Sequence, residues 1–231
     1  MATLASITRA ITTCERCPRL RDYCREVARV KKAAFRDQVY WGRPVPGFGD
    51  PHARILILGL APAAHGANRT GRVFTGDGVG ASGDFLMAAL KRAGYSNIAT
   101  SQSVDDGLKL TDVYIAAAVR CAPPQNKPTP EEIDTCLDHL RNEVAMLPNL
   151  ETVVALGKIA WDAWLKLYPM KPKPEFGHNV RVSTPAPMHR GTAAPRHPGT
   201  LLLVGCFHPS RQNTNTGKVT PVMYDKVFKH L

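Results

Sequence analysis

Four short apolar runs, each followed by a helical pattern, constrain this chain more than any other feature. They are ILILGLAP (residues 55–62), VYIAAAVRC (113–121), TVVALGK (152–158) and LLLVGCFH (201–208). An apolar run of this length without polar alternation is what a strand shows when both of its faces are covered, as in a parallel sheet. The segments GDFLMAALKRAGY (83–95), PEEIDTCLDHLRNEVAML (130–147), AWDAWLKLY (160–168) and TPVMYDKVFKHL (220–231) place apolar residues at helical spacing. The second of these opens with Thr129 as N-cap, Pro130 at the first helical position and Glu132 at the capping-box position. A basic amphipathic helix is predicted over residues 20–35, after a short cysteine knuckle. Strands alternating with helices predict an α/β fold that binds ligands beyond the C-terminal ends of its strands. WGRPVPGFGDPHAR (41–54) is too rich in Pro and Gly for regular structure. The Pro-rich stretch 170–198 reads as a surface excursion within one domain spanning residues 1–231.

At 231 residues and 44% hydrophobic composition the chain can bury a sizeable core, which argues against disorder. Its 30 basic against 19 acidic residues leave a net charge of +11, which favours a polyanionic partner and nucleic acid first. The charge alone is equally compatible with an ordinary basic protein. No run approaches the roughly 20 apolar residues of a membrane span, and MATLASITRAITTCERC has no apolar signal core, so the chain reads as cytoplasmic. Six cysteines in that reducing compartment point to metal or core duty rather than disulfides.

Cys14 and Cys17 form a C-x2-C pair, and Cys121 and Cys136 straddle the loop from a strand into a helix. Four thiolates from these positions can converge on a metal. On the pattern alone zinc is commoner than an iron–sulfur cluster, and buried core thiols are the alternative. Cys24, on a helix face, and Cys206, in an apolar strand, read as packing residues.

GLAPAAHGANRTGRVFTGD (59–77) with FHPSRQNTNTG (207–217) closely resembles the two active-site motifs of family 5 (type B) uracil-DNA glycosylases. The cysteine pattern and VRCAPPQNKPTPEEIDTC (119–136) resemble the same family, so the likeness runs nearly end to end. The resemblance implies a three-layer α/β/α sandwich around a short, mainly parallel four-stranded sheet. It implies a four-iron four-sulfur cluster on Cys14, Cys17, Cys121 and Cys136. The implied activity is that of a monofunctional, monomeric glycosylase acting on DNA that contains uracil or another deaminated base such as hypoxanthine.

By the same resemblance Ala63, Phe74, Asn126 and His208 belong to the base pocket, and Asp77, His208 and Asn126 to the chemistry. Arg69, Arg72, Ser210, Arg211, Gln212 and Asn213 would contact DNA, with Lys218 as a further phosphate partner. Chemistry supports these placements independently. An extruded base needs a stacking face, and Phe74 is either that or a core anchor. His208 follows a buried strand, where an imidazole N–H can meet negative charge on a departing base; otherwise it is a capping or core histidine. Asp77 can stabilise a cationic sugar or orient water, or it is an N-cap or Asx-turn residue before GVGASG. Each arginine is alternatively a solvated surface charge.

Two departures from family 4 matter. Leu60 stands where GEAPG carries a glutamate that orients water, and Ala117 stands where a YITNVVKC-like strand carries the asparagine that reads uracil. A pocket without that fixed donor and acceptor rejects other bases less strongly. The rival from another class is a non-catalytic iron–sulfur DNA-binding redox sensor. A second rival is a relative that traps uracil-DNA covalently, but those relatives resemble one another through a basic histidine-containing insertion where this chain has GVGASG.

Overall fold

A computed structural model describes residues 3–76, 78, 80–185, 199–229 and 231. Among them, six strands form one sheet. The four apolar runs form its parallel centre: β2 (Ile55–Gly59), β3 (Val113–Ala117), β4 (Thr152–Leu156) and β6 (Thr200–Cys206). With β1 (Phe48–Gly49) and β5 (Arg181–Pro185) at the edges, the order is β1-β3-β2-β4-β6-β5. In register, Ile57 lies opposite both Ile115 and Val154, and Val154 opposite Val204. Every residue of β2, β3 and β4 is buried, which explains the missing polar alternation.

Successive strand residues point to opposite faces. Ile55, Ile57, Ile115 and Val204 pack with Leu86 and Met87 of α4 (Ser82–Arg92) and Tyr224 and Phe228 of α8 (Pro221–Phe228). Leu56, Leu58, Val153 and Leu203 pack with Leu140 of α5 (Pro130–Val144) and Trp161 and Trp164 of α6 (Lys158–Leu167). The result is three layers. No described helix is long and apolar enough to cross a membrane.

The sheet is wider than the four strands expected. β1 and β5 pair antiparallel to β3 and β6 at the two edges, the first inside a segment expected to lack regular structure and the second inside the expected surface excursion. Edge strands pair on one side only, so they tolerate Pro and need no apolar run. Of the Pro-rich stretch, residues 186–198 lie outside the described residues.

At the N-terminus α1 (Leu4–Thr12) precedes the knuckle, started by a reciprocal Thr3–Ser6 capping box. The basic helix α2 (Pro18–Val30) ends before residue 35 because Lys31 turns to φ 59°, and a short 3-10 turn follows. The capping box of α5 forms as expected: Thr129 Oγ1 accepts from the Glu132 N–H at 3.2 Å, and the Thr129 N–H donates to Glu132 Oε2 at 2.8 Å. Glu132 also takes a bidentate ion pair from Arg19 at 2.7 and 2.6 Å, tying α2 to α5.

Candidate active site

Beyond the C-terminal ends of β2, β3 and β6 the loops enclose a pocket of about 470 Å³. Gly59, Leu60, Ala63, Phe74, Ala117, Asn126 and His208 line it, so the positions singled out in three distant segments converge. Leu60 and Ala117 make two walls apolar.

Phe74 adopts φ 52°, a left-handed conformation that a bulky residue rarely takes without a structural reason. The reason is local packing. Its carbonyl oxygen sits where a Cβ on Gly83 would be, 2.1 Å from that position, so the first turn of α4 fixes the Phe74 backbone. The ring then lies 5.9 Å from the His208 ring, tilted by 31°.

His208 leaves the sheet two residues after β6 ends, and its carbonyl accepts from Asn213 Nδ2 at 2.8 Å. Burial pushes its imidazole down to about 4, so it is neutral at pH 7 with one N–H to donate. No hydrogen-bond partner for either ring nitrogen occurs among the described residues. Asn126, at φ 58° directly after Gln125 at φ 55°, is exposed at the pocket rim.

The loop after β6 becomes α7 (Arg211–Asn215), capped by Ser210, whose Oγ accepts from the Asn213 N–H at 3.3 Å. Ser210 and Asn213 thus shape the loop, while Arg211 and Gln212 are exposed, with Arg211 at the pocket. Lys218 lies 5.5 Å from the centre of the Phe207 ring.

Arg69, on the short helix α3 (Ala67–Thr70), and Arg72, both expected to contact DNA, are engaged within the protein. Arg69 Nε donates to the His65 carbonyl at 2.8 Å and Nη2 to the Gly76 carbonyl at 2.5 Å; Nη1 donates to Gln38, and the head stacks 4.0 Å over Phe35. Arg72 is 8% exposed, ion-paired with Asp106 at 2.6 Å, and donates to Thr75 Oγ1 at 2.9 Å and Ser101 Oγ at 3.1 Å. These arginines brace the loop from within. Asp77 lies outside the described residues.

The four expected cysteines line one separate cavity, together with Arg120 and His139. Cys14 and Cys17 sit between α1 and α2, Cys121 follows β3, and Cys136 is on α5. Burial raises the Cys17 thiol and pushes Cys136 up to about 12; a hydrogen bond with Cys24, then burial, raises Cys121. Cys24 packs as expected, buried in a small apolar cluster with Leu20, Val119 and Cys121, and its thiol donates to the Ala122 carbonyl at 3.6 Å. Among the described residues no three His, Cys, Asp or Glu side chains converge closely enough to hold a single metal ion. The cavity nevertheless suits a larger anionic group. The Arg120 N–H donates to Cys136 Sγ at 3.2 Å, Arg120 itself is buried against Glu143 at 2.6 Å, and His139 Nε2 is buried without a hydrogen-bond partner among the described residues.

Residues 46–231 match the family model described as the uracil DNA glycosylase superfamily. The chain belongs to the uracil-DNA glycosylase superfamily. It is 49% identical over 222 residues to a Type-5 uracil-DNA glycosylase of Mycobacterium leprae, covering 95% of this chain and 90% of the relative. It is 48% identical over 229 residues to one of Mycobacterium tuberculosis (98% and 80%) and 46% over 223 residues to one of Thermus thermophilus (96% and 94%).

In this uracil-DNA glycosylase superfamily member two supports of the pocket escaped the sequence reading. Asp84, at the start of α4, accepts from the Gly80 N–H at 3.0 Å, the Ser101 N–H at 3.0 Å and Gln102 Nε2 at 2.7 Å, stitching the loop before the helix to residues 101–102. Its position in the first turn, behind a Gly-rich loop, is the signal that was available. Gly83 is the other. Gly83→Ala would drive a methyl into the Phe74 carbonyl, and the expected outcome is a loss of about 1–3 kcal/mol in urea unfolding, with displacement of the Phe74 ring. An unchanged unfolding midpoint would show that the turn is not held by this contact.

The low affinity of His208 for a proton also has a sign in stability. The unfolded chain takes up that proton near 6.5 and the folded chain only near 4, so stability falls as pH drops through this window. His208→Asn removes this loss, and its urea midpoint is expected to decline less than that of the parent between those pH values. Parallel declines would place the imidazole in a more solvated setting.

Proposed function

We propose that this chain hydrolyses the N-glycosidic bond of uracil in DNA, and of other deaminated bases such as hypoxanthine, leaving an abasic site. The observation that carries the reading is the neutral His208 imidazole, without a hydrogen-bond partner among the described residues, facing the same pocket as the Phe74 ring. A base must leave the duplex to be cut, at a cost of a few kcal/mol that stacking and hydrogen bonding recover. Phe74 supplies the stacking face. His208 donates its N–H to the carbonyl oxygen on which negative charge develops as the bond from the base to C1′ breaks. The electron pair leaves with the base, which takes its proton from solvent on release. Water adds to C1′, and its proton goes to a carboxylate, for which Asp77 is the candidate; Asn126 at the rim is the polar group for water or base.

With Leu60 and Ala117 in the walls, the pocket holds no side-chain pair dedicated to uracil at those positions, which supports the wider base range. The DNA strand is met by the exposed Arg211 and Gln212 and by the net charge of +11, with the protein acting as a monomer. The four cysteines would hold a four-iron four-sulfur cluster. When bound, it would supply no base chemistry but would join the knuckle to β3 and α5, next to the segment carrying Asn126.

Purified protein is incubated with labelled oligonucleotides carrying uracil or hypoxanthine, then treated with alkali to cut at abasic sites. Scission at the modified position is the expected result. Binding without scission would overturn this reading and favour the redox sensor.

A further inference from the structure

We propose that His178 and Tyr224 are positioning residues for His208, acting through the peptide units on either side of Phe207; the proposal rests on His208 being the group that meets the departing base.

The argument begins with Gly205 in β6. A Cβ there would lie 2.2 Å from the Gly177 carbonyl oxygen, so only glycine lets the segment leading into β5 run this close to the end of β6. Backbone bonds close the contact, from the Asn179 N–H to the Gly205 carbonyl at 2.7 Å and from the Gly205 N–H to the Val180 carbonyl at 2.8 Å. This approach delivers His178 beside Phe207, ring centroids 5.3 Å apart.

β6 ends at Cys206, so Phe207 and His208 lie beyond the strand. Beside a long contact from the Cys206 thiol to its carbonyl at 3.7 Å, two side chains from other segments take over at Phe207. Its N–H donates to His178 Nδ1 at 3.2 Å, and its carbonyl accepts from Tyr224 Oη at 2.8 Å. A backbone N–H only donates, so His178 Nδ1 is the bare nitrogen. The ring's proton is then on Nε2, which donates to the Met223 carbonyl at 3.3 Å. One neutral tautomer of His178 thus bridges α8 to the residue before His208. Tyr224, fully buried on α8, holds the other side of the same residue. The carbonyl that Tyr224 holds belongs to the peptide unit whose nitrogen is that of His208. Its orientation fixes where the His208 side chain starts, and a donor misplaced by about 1 Å loses on the order of 10²-fold in rate.

The test separates positioning from simple stabilisation, because asparagine can reproduce the Nδ1 acceptor and glutamine the Nε2 donor. His178→Asn keeps the bond from Phe207 and loses the one to Met223; His178→Gln does the reverse. Each loses one hydrogen bond, so similar falls in unfolding midpoint are expected. Single-turnover release of uracil is expected to stay within about threefold of the parent for His178→Asn and to fall by at least about tenfold for His178→Gln, with oligonucleotide affinity unchanged in both. Tyr224→Phe is expected to slow the step several-fold, again at constant affinity. Equal rates for His178→Asn and His178→Gln at equal stability would overturn the proposal, as would a Tyr224→Phe variant at the parental rate. If His208→Ala itself keeps the parental rate, it is the assignment of His208 that fails.

Discussion

His208→Ala is expected to slow single-turnover uracil release by about 10²-fold or more while leaving DNA affinity nearly unchanged. The size follows from where the ring sits. It is half-buried in the pocket wall, kept neutral by the desolvation there, and among the described residues no hydrogen-bond partner competes for its N–H. In a site of low polarity, a fixed donor aimed at developing charge contributes more than it would in water and needs no reorganisation when the bond breaks. Affinity should be spared because, on the proposed reading, the DNA strand is met outside the pocket floor, by the net charge and by exposed groups such as Arg211. Asp77→Asn is the companion measurement. It keeps size while removing the charge and the base, and a clear loss of rate is expected. If Asp77→Asn cleaves at the parental rate while His208→Ala is crippled, water orientation falls to Asn126 or to backbone groups. If both keep the parental rate, the chemistry lies elsewhere.

The parallel strands and their helices were legible because burial on both faces leaves a continuous apolar run, and β2, β3 and β4 are buried at every position. β1 and β5 left no such mark, since an edge strand is held by hydrogen bonds along one side and Pro185 can end it without breaking a ladder. That His208 and Phe74 line one pocket was legible from their motifs and from the rule that ligands gather past the strand ends. The arginines were not. Whether a guanidinium faces DNA or folds inward depends on partners remote in sequence, such as Asp106 for Arg72, and no local pattern announces them. His178 was hidden for a related reason. Its role exists only because Gly205 admits the Gly177 carbonyl, a contact between segments that neither sequence reveals alone.

The cysteine cavity makes the other large prediction. Cys121 and Cys136 bracket the segment that carries Asn126 to the pocket rim, while Cys14 and Cys17 belong to the N-terminal knuckle. A group ligated by all four would cross-link these pieces, and the free energy of its binding would be part of the free energy of folding. Without it the buried thiols stay protonated, Cys136 with its affinity for a proton pushed up to about 12, and the cavity loses the anion that Arg120 and His139 would face. Cys136→Ser is therefore expected to abolish iron and acid-labile sulfide, to lack the yellow-brown colour and broad visible absorbance expected of the parent, and to lower the unfolding temperature by about 10 °C or more. Cys206→Ser, in the strand and away from the cavity, is expected to keep full iron content. Uracil release by Cys136→Ser should fall as well, since the loop holding Asn126 loses an anchor at its helical end. Iron and sulfide analysis with visible spectra, on protein prepared without oxygen, decides the matter. Equimolar zinc with no iron in the parent would sink the cluster assignment. Full iron in Cys136→Ser would show instead that the cluster is held by a different set of ligands.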